Sequence, residues 1–169
     1  MPYSFSKKQF SEFGRFYAER SSINFQDIQL EMFYGADEPR NRFLSSVISK
    51  MLCGEPVDTT LGTQRRDIIC ADDVLFAIMT IVGSDLHGYC KIPVGTGKAP
   101  TVSEIIDHIW NMTGRKSELY KGAVPMRKNE PDCAADTKIM RSLCDWQPKH
   151  WRDGLNDMID TMRAEQGDT

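Results

Sequence analysis

Apolar spacing along this chain switches repeatedly between the period of a helix and that of a strand. An alternation of that kind restricts the fold to the α/β class. Residues 5–20 set Phe10, Phe13, Phe16 and Tyr17 on one helical face. Residues 25–33 then place Ile28, Leu30 and Met32 in alternation with polar neighbours, as one strand would. Gly35 and Pro39 break it. Phe43, Val47, Ile48, Met51 and Leu52 form a second amphipathic helix, stopped by Gly54 and Pro56. The short run Ile68-Ile69-Cys70 reads as extended, and Asp72 or Asp73 is positioned to cap a helix over 74–82. Residues 89–94 read as a strand that ends at Gly95-Thr96-Gly97. Thr101 and Glu104 form a capping box ahead of a helix whose buried face carries Ile105, Ile106, Ile109 and Trp110, with Gly114 at its end. A short strand is expected within 119–124 and a short helix within 136–143. Leu155, Met158, Ile159 and Met162 mark a last helix.

Composition excludes several classes of function. At 169 residues, 40% hydrophobic and 27% charged, the chain is of single-domain size and globular in character. Its net charge of −3, without a long basic run, argues against a nucleic-acid partner. No apolar stretch approaches the ~20 residues that span a bilayer, so no membrane partner is expected. The first residues lack the layout of a signal peptide. Five cysteines, an odd number without a C-x-x-C pair, suit thiols in a reducing, cytoplasmic setting. His87, His108 and His150 have no Cys or acid at ligand spacing, and no metal site is expected. Trp146 and Trp151 read as packing groups.

Two short motifs carry chemical interest. Gly95-Thr96-Gly97 lacks the third glycine of a pyrophosphate loop and follows no N-terminal strand. Tyr3 and Lys7 stand four apart, on one side of a helix. An ammonium held beside a phenol favours the phenolate, and such a phenol can pass a proton to or from a hydroxyl or carbonyl while hydride moves at the same carbon. Alone, that spacing describes many surface pairs.

The surrounding residues narrow it. Pro2-Tyr3-Ser4-Phe5-Ser6-Lys7 resembles the P-Y-x-x-S-K segment of the extended short-chain dehydrogenase/reductase family, the NAD-dependent epimerases and dehydratases. Further resemblances follow in order: Leu30-Glu31-Met32-Phe33-Tyr34-Gly35, Gln64-Arg65-Arg66-Asp67 with Asp73-Val74, Gly95-Thr96-Gly97 with Ser103-Glu104, and Asp136-Thr137-Lys138 with Trp146-Gln147-Pro148. They cover nearly the whole chain. The L-E-x-x-Y-G form is similar to that of bacterial enzymes making CDP-linked dideoxyhexoses.

The resemblance implies the C-terminal part of a Rossmann-like fold with its substrate-binding subdomain, the N-terminal dinucleotide-binding half being absent. Residues 1–169 would form one partial domain. Residues 1–35 would end the Rossmann-like core and 36–169 would mainly bind substrate. Tyr3 would be the general acid/base and Lys7 its ribose-binding partner. Met32 would face the NAD or NADP cofactor. Phe33 and Arg66 would bind a nucleotide sugar, Arg66 through its diphosphate, because a guanidinium meets phosphate oxygens through paired hydrogen bonds. Arg65 is the weaker choice, and an ion pair of Arg66 with Asp67 or Asp72 is the structural alternative. The function implied is NAD(P)-dependent epimerisation, dehydration or reduction of a nucleotide sugar, with the 169-residue chain inactive alone. A binding or regulatory module without catalysis, or a truncated gene product, are the other readings. The aromatic face of 5–20 would either join a homodimer, as that helix does in the family, or pack on the chain's own sheet. An uncovered face of that kind favours association of the isolated chain.

Overall fold

The computed structural model describes residues 2–128 and 130–167. Its elements run α1 (Pro2–Ala18), β1 (Phe25–Leu30), β2 (Met32–Tyr34), α2 (Phe43–Cys53), β3 (Val57–Thr59), β4 (Ile68–Cys70), α3 (Ala71–Val82), β5 (Tyr89–Val94), α4 (Val102–Met112), β6 (Leu119–Lys121), α5 (Lys138–Leu143) and α6 (Trp151–Gly167). The strands pair as three parallel two-stranded ladders, β1 with β5, β2 with β4 and β3 with β6. Parallel pairing needs helical crossovers, which the alternating sequence supplies.

The single strand expected over 25–33 is two strands. At Glu31 the chain leaves one ladder for another: its N–H still donates to Val94 O, whereas Met32 N–H donates to Asp67 O. Strand alternation continues through this switch, which hides it in the sequence. β3 has no counterpart in the sequence reading, because a three-residue strand with only Val57 and Thr59 buried gives almost no pattern.

Two apolar cores result. One gathers α2, α4 and α6 around Tyr34, Val57 and Ile68. The other gathers α3, α5 and β5 around Ile69. Ile68 and Ile69 are both fully buried and successive side chains of a strand face opposite ways, so β4 is the wall between the cores. Trp151 packs in the first core and Trp146 in the second, where its indole N–H donates to Gly95 O.

The helix ends follow local chemistry. Gly54 closes α2 in the left-handed region at φ 74°. Thr101 and Glu104 complete the capping box of α4 reciprocally. Asp72 and Asp73 do not cap α3. That helix begins at Ala71, earlier than expected, with Cys70 as its N-cap, and Asp73 instead accepts the backbone N–H of Lys149 at 2.9 Å.

α1 corrects a larger expectation. Phe10, Phe13, Phe16 and Tyr17 are all exposed, and of these Phe10 reaches the sheet with its ring 5.5 Å from that of Phe25 in β1. The small residues Gly14 and Ala18 form the buried face. A Cβ at Gly14 would lie 2.3 Å from the Phe25 ring, so the close approach of helix to strand requires glycine there. Ser11 ties the same face to β1 and β5 through Asp27 and Tyr89, at 2.6 and 2.8 Å.

Among the described residues no helix is long and apolar enough to cross a membrane. No disulfide joins any of the five cysteines.

Candidate functional site

β2 divides the site. Met32 and Phe33 are consecutive in a strand and so project to opposite sides. On the Phe33 side a cavity of about 1100 Å³ lies between α1 and β1 and is lined by Tyr3, Lys7 and Phe33 among others. The Lys7 Nζ sits 5.6 Å from the centroid of the Tyr3 ring, one helical turn apart as the spacing implied. Both side chains are exposed. Phe33 is partly covered by the Arg42 guanidinium, 5.5 Å from its ring.

On the Met32 side a second cavity, of about 560 Å³, is lined by Arg66, Lys50 and Arg127 over an apolar wall that includes Val47, Val57, Val102 and Ile106. Arg66 is held from three directions. Its Nη1 donates to the carbonyls of Arg65 and Pro131, both at 2.7 Å, and its Nη2 pairs with Glu130. The partner is therefore Glu130 and neither Asp67 nor Asp72. Arg65 turns away and donates to Ala99 O at 3.0 Å. The five residues marked in the sequence thus fall in two groups. Tyr3, Lys7 and Phe33 share one cavity, and Met32 and Arg66 share the other.

Beneath Arg66 the chain is locked by Asp67, which is fully buried. Its Oδ1 accepts from the Thr96 N–H and hydroxyl, and its Oδ2 from the N–H groups of Gly97 and Ala135, at 2.6–3.1 Å. The Thr96 and Gly97 amides of the Gly95-Thr96-Gly97 turn are thereby committed to a carboxylate of the protein, not offered to a phosphate. Glu31 lies alongside. A Cβ at Gly95 would meet both the Asp67 carboxylate, at 2.6 Å, and Glu31, at 2.9 Å. Burial first, then the Asp67 charge, push the Glu31 carboxyl above its ordinary range, against an opposing pull from Arg66. Tyr34, next to Phe33, is a packing residue. It is buried with its hydroxyl donating to Trp151 O, and burial pushes its phenol far above the usual range.

Arg127 and Lys50 went unmarked in the sequence. Each stands in a stretch without a recognisable motif, and the fold brings them beside Arg66. Among the described residues no group of three or more His, Cys, Asp or Glu is arranged to hold a metal ion.

A model of the NAD dependent epimerase/dehydratase family matches residues 1–89. The chain is 30% identical to the CDP-abequose synthase of Salmonella typhimurium over 168 residues, covering 94% of this chain and 55% of that protein. It is 34% identical to the CDP-abequose synthase of Salmonella muenchen over 144 residues, covering 83% and 49% respectively. Among solved structures, the UDP-glucose 4-epimerase of Thermotoga maritima, determined with UDP-glucose, superposes with a TM-score of 0.86 at 22% identity, over 98% of this chain and 54% of that one. The dTDP-glucose 4,6-dehydratase of Bacillus anthracis, determined with NAD, gives a TM-score of 0.83 at 18% identity, over 99% and 53%. The chain spans about half the length of the relatives it matches.

Proposed function

Since the chain belongs to the NAD dependent epimerase/dehydratase family, we propose that it forms the nucleotide-sugar-binding part of an NAD(P)-dependent oxidoreductase, and that the Arg66 cavity holds the ligand's diphosphate. The observation that carries this reading is the grouping of Arg66, Arg127 and Lys50 along one apolar-walled cavity. Three cations, set against the Asp58 and Glu130 carboxylates in the same lining, leave the cavity a net attraction for the two phosphates, and the apolar wall covers the nucleoside or sugar. Arg66 is already oriented by two carbonyls and Glu130, so little side-chain freedom is lost when an anion arrives. A phosphate oxygen placed there competes with the Glu130 carboxylate for Nη2. The similarity to two CDP-abequose synthases favours a CDP-linked sugar.

On the other side of β2, Tyr3 and Lys7 would carry the proton transfer, and their sharing one cavity supports that reading. The phenol would give or take the proton of a sugar hydroxyl, and the lysine would hold a cofactor ribose. The dinucleotide, when bound, supplies the hydride. Of the dinucleotide, Tyr3 and Lys7 would meet only the nicotinamide ribose end. The one glycine-rich turn has its amides taken by Asp67, and no other glycine-rich strand-to-helix turn stands in the sequence. These 169 residues are therefore expected to bind nucleotide sugar without turning it over. The exposed aromatic face of α1 supports pairing of two copies through that helix.

A thermal-shift panel of CDP-, UDP-, GDP- and dTDP-sugars tests the proposal, because a ligand that binds the folded state raises its melting temperature. One nucleotide class is expected to raise it, and Arg66→Gln to abolish the rise while the unliganded protein still melts cooperatively. A panel without any shift, or a shift that survives Arg66→Gln, would refute the assignment of the diphosphate.

A further inference from the structure

We infer that Gln64 is a specificity-determining residue of the Arg66 cavity, whose carboxamide oxygen accepts a hydrogen bond from an N–H or O–H group of the ligand's nucleoside. The inference rests on the diphosphate reading above and deepens it.

Among the described residues, Gln64 Oε1 is the one buried side-chain nitrogen or oxygen without a hydrogen-bond partner. Folded proteins rarely keep such an atom, because removing it from water without a partner costs free energy. The main chain fixes this segment without help from the carboxamide. Gln64 O accepts the Val102 N–H at 2.9 Å, and Arg65 and Arg66 form isolated bridges to Thr101 and Cys133. Two residues earlier, a Cβ at Gly62 would lie 2.6 Å from Ser103 N, so the turn is seated tightly against the start of α4.

The side chain belongs to the cavity assigned to the ligand. Gln64 and Arg66 both line it, together with the buried Val57, Val102 and Ile106. Arg65, between them, turns away to Ala99 O. The last torsion of a carboxamide is soft, so the oxygen can swing to meet a group that enters the cavity.

The chemistry of the ligand decides which part it meets. An ionised diphosphate offers oxygens and no donor, and an amide oxygen gains nothing from it. Donors lie on the two uncharged ends, the nucleoside and the sugar. Chain direction separates these ends. Ile68, the partner of Met32 in the β2–β4 ladder, stands four residues after Gln64, and Arg66 lies between them. On the proposed function the sugar leaves Arg66 toward β2 and Tyr3. The nucleoside then leaves the other way, toward Gln64.

The test is titration calorimetry on the 169-residue chain with CDP, UDP, 2′-deoxycytidine diphosphate and inorganic pyrophosphate. Gln64→Met keeps the length of the side chain and removes the acceptor. It is expected to weaken CDP at least about tenfold and to leave pyrophosphate, which has no nucleoside, unchanged. Two sources of the donor are then told apart. If it is the cytosine amine, UDP binds the wild type more weakly than CDP and the variant erases the difference. If it is the ribose 2′-hydroxyl, CDP and UDP lose alike and the deoxy form binds both proteins equally. Equal weakening of CDP and pyrophosphate would show that Gln64 acts through Arg66, and unchanged CDP binding would show that it meets no nucleoside. Either result overturns the inference. The ligand-free variant should melt no lower than the wild type, since it sheds a buried polar atom without a partner. A lower melting temperature would make Gln64 a structural group and equally overturn it. Arg66→Gln is expected to weaken CDP and pyrophosphate together. Binding that ignores that substitution would refute the diphosphate assignment, a result separate from every Gln64 outcome.

Discussion

Arg65 and Arg66 are adjacent and chemically identical, and the fold uses them differently. Arg66 lines a cavity and Arg65 bonds to a loop carbonyl. The sequence could mark Arg66 because it stands in an R-D block, and the same block marks Asp67 without revealing that its carboxylate gathers four donors. Arg127 was illegible, since its neighbours in space are remote in sequence. Glycines were also only partly legible. Gly154 lies inside α6, where alanine would ordinarily stabilise a helix by about 1 kcal/mol. Here a Cβ would sit 2.1 Å from the Tyr34 hydroxyl, whose ring is locked in the core. Gly154→Ala is therefore expected to destabilise by about 1–3 kcal/mol, as overpacking does, read by urea denaturation. Glu31 gives a pH signature. Its carboxyl is raised, so the folded state keeps that proton to higher pH than the unfolded chain does. The associated stability is present at low pH and is lost as pH climbs from the ordinary glutamate range through the folded value. Glu31→Gln cannot ionise. Its melting temperature should gain on that of the wild type as pH rises from about 4 to about 7, and a difference that stays flat or reverses would contradict the account.

Elements with strong local signals were legible: α2 with its Gly54 stop, α4 with its capping box, and β5 before a glycine turn. The capping box gives a clean test at this scale. Thr101→Ala leaves the Glu104 N–H without its acceptor and should cost about 1 kcal/mol, measured by chemical denaturation. Glu104 itself is held below its ordinary range by the backbone N–H of Thr101, then by its hydroxyl. Elements whose identity depends on a distant partner were less legible. β1 and β2 look like one strand because the pleat continues while the hydrogen-bond partner changes at Glu31. The packing face of α1 was left open between a dimer contact and the chain's own sheet because hydrophobicity alone draws attention to the phenylalanines, whereas the close contact with Phe25 selects Gly14. Small residues make no hydrophobic stripe, so that signal is absent from any periodicity.

For the whole molecule, the α/β class and the family were legible from ordered motifs spread over the chain, while the division into two cores by β4 was not. The isolated chain is expected to show no oxidation or reduction of NAD(P)(H) with any nucleotide sugar, followed at the nicotinamide absorbance. Measurable turnover would show that these residues suffice for catalysis. The partition made by β2 carries one more consequence. Tyr3 and Lys7 line a cavity on one flank of a strand only three residues long and Arg66 a cavity on the other, so the proposed function would put proton transfer and phosphate anchoring on opposite sides of it. A molecule engaging both must be long enough to round that barrier, so the arrangement acts as a ruler. On that proposal a free hexose or simple sugar phosphate would reach only one flank, while a substrate with a long charged handle would reach both.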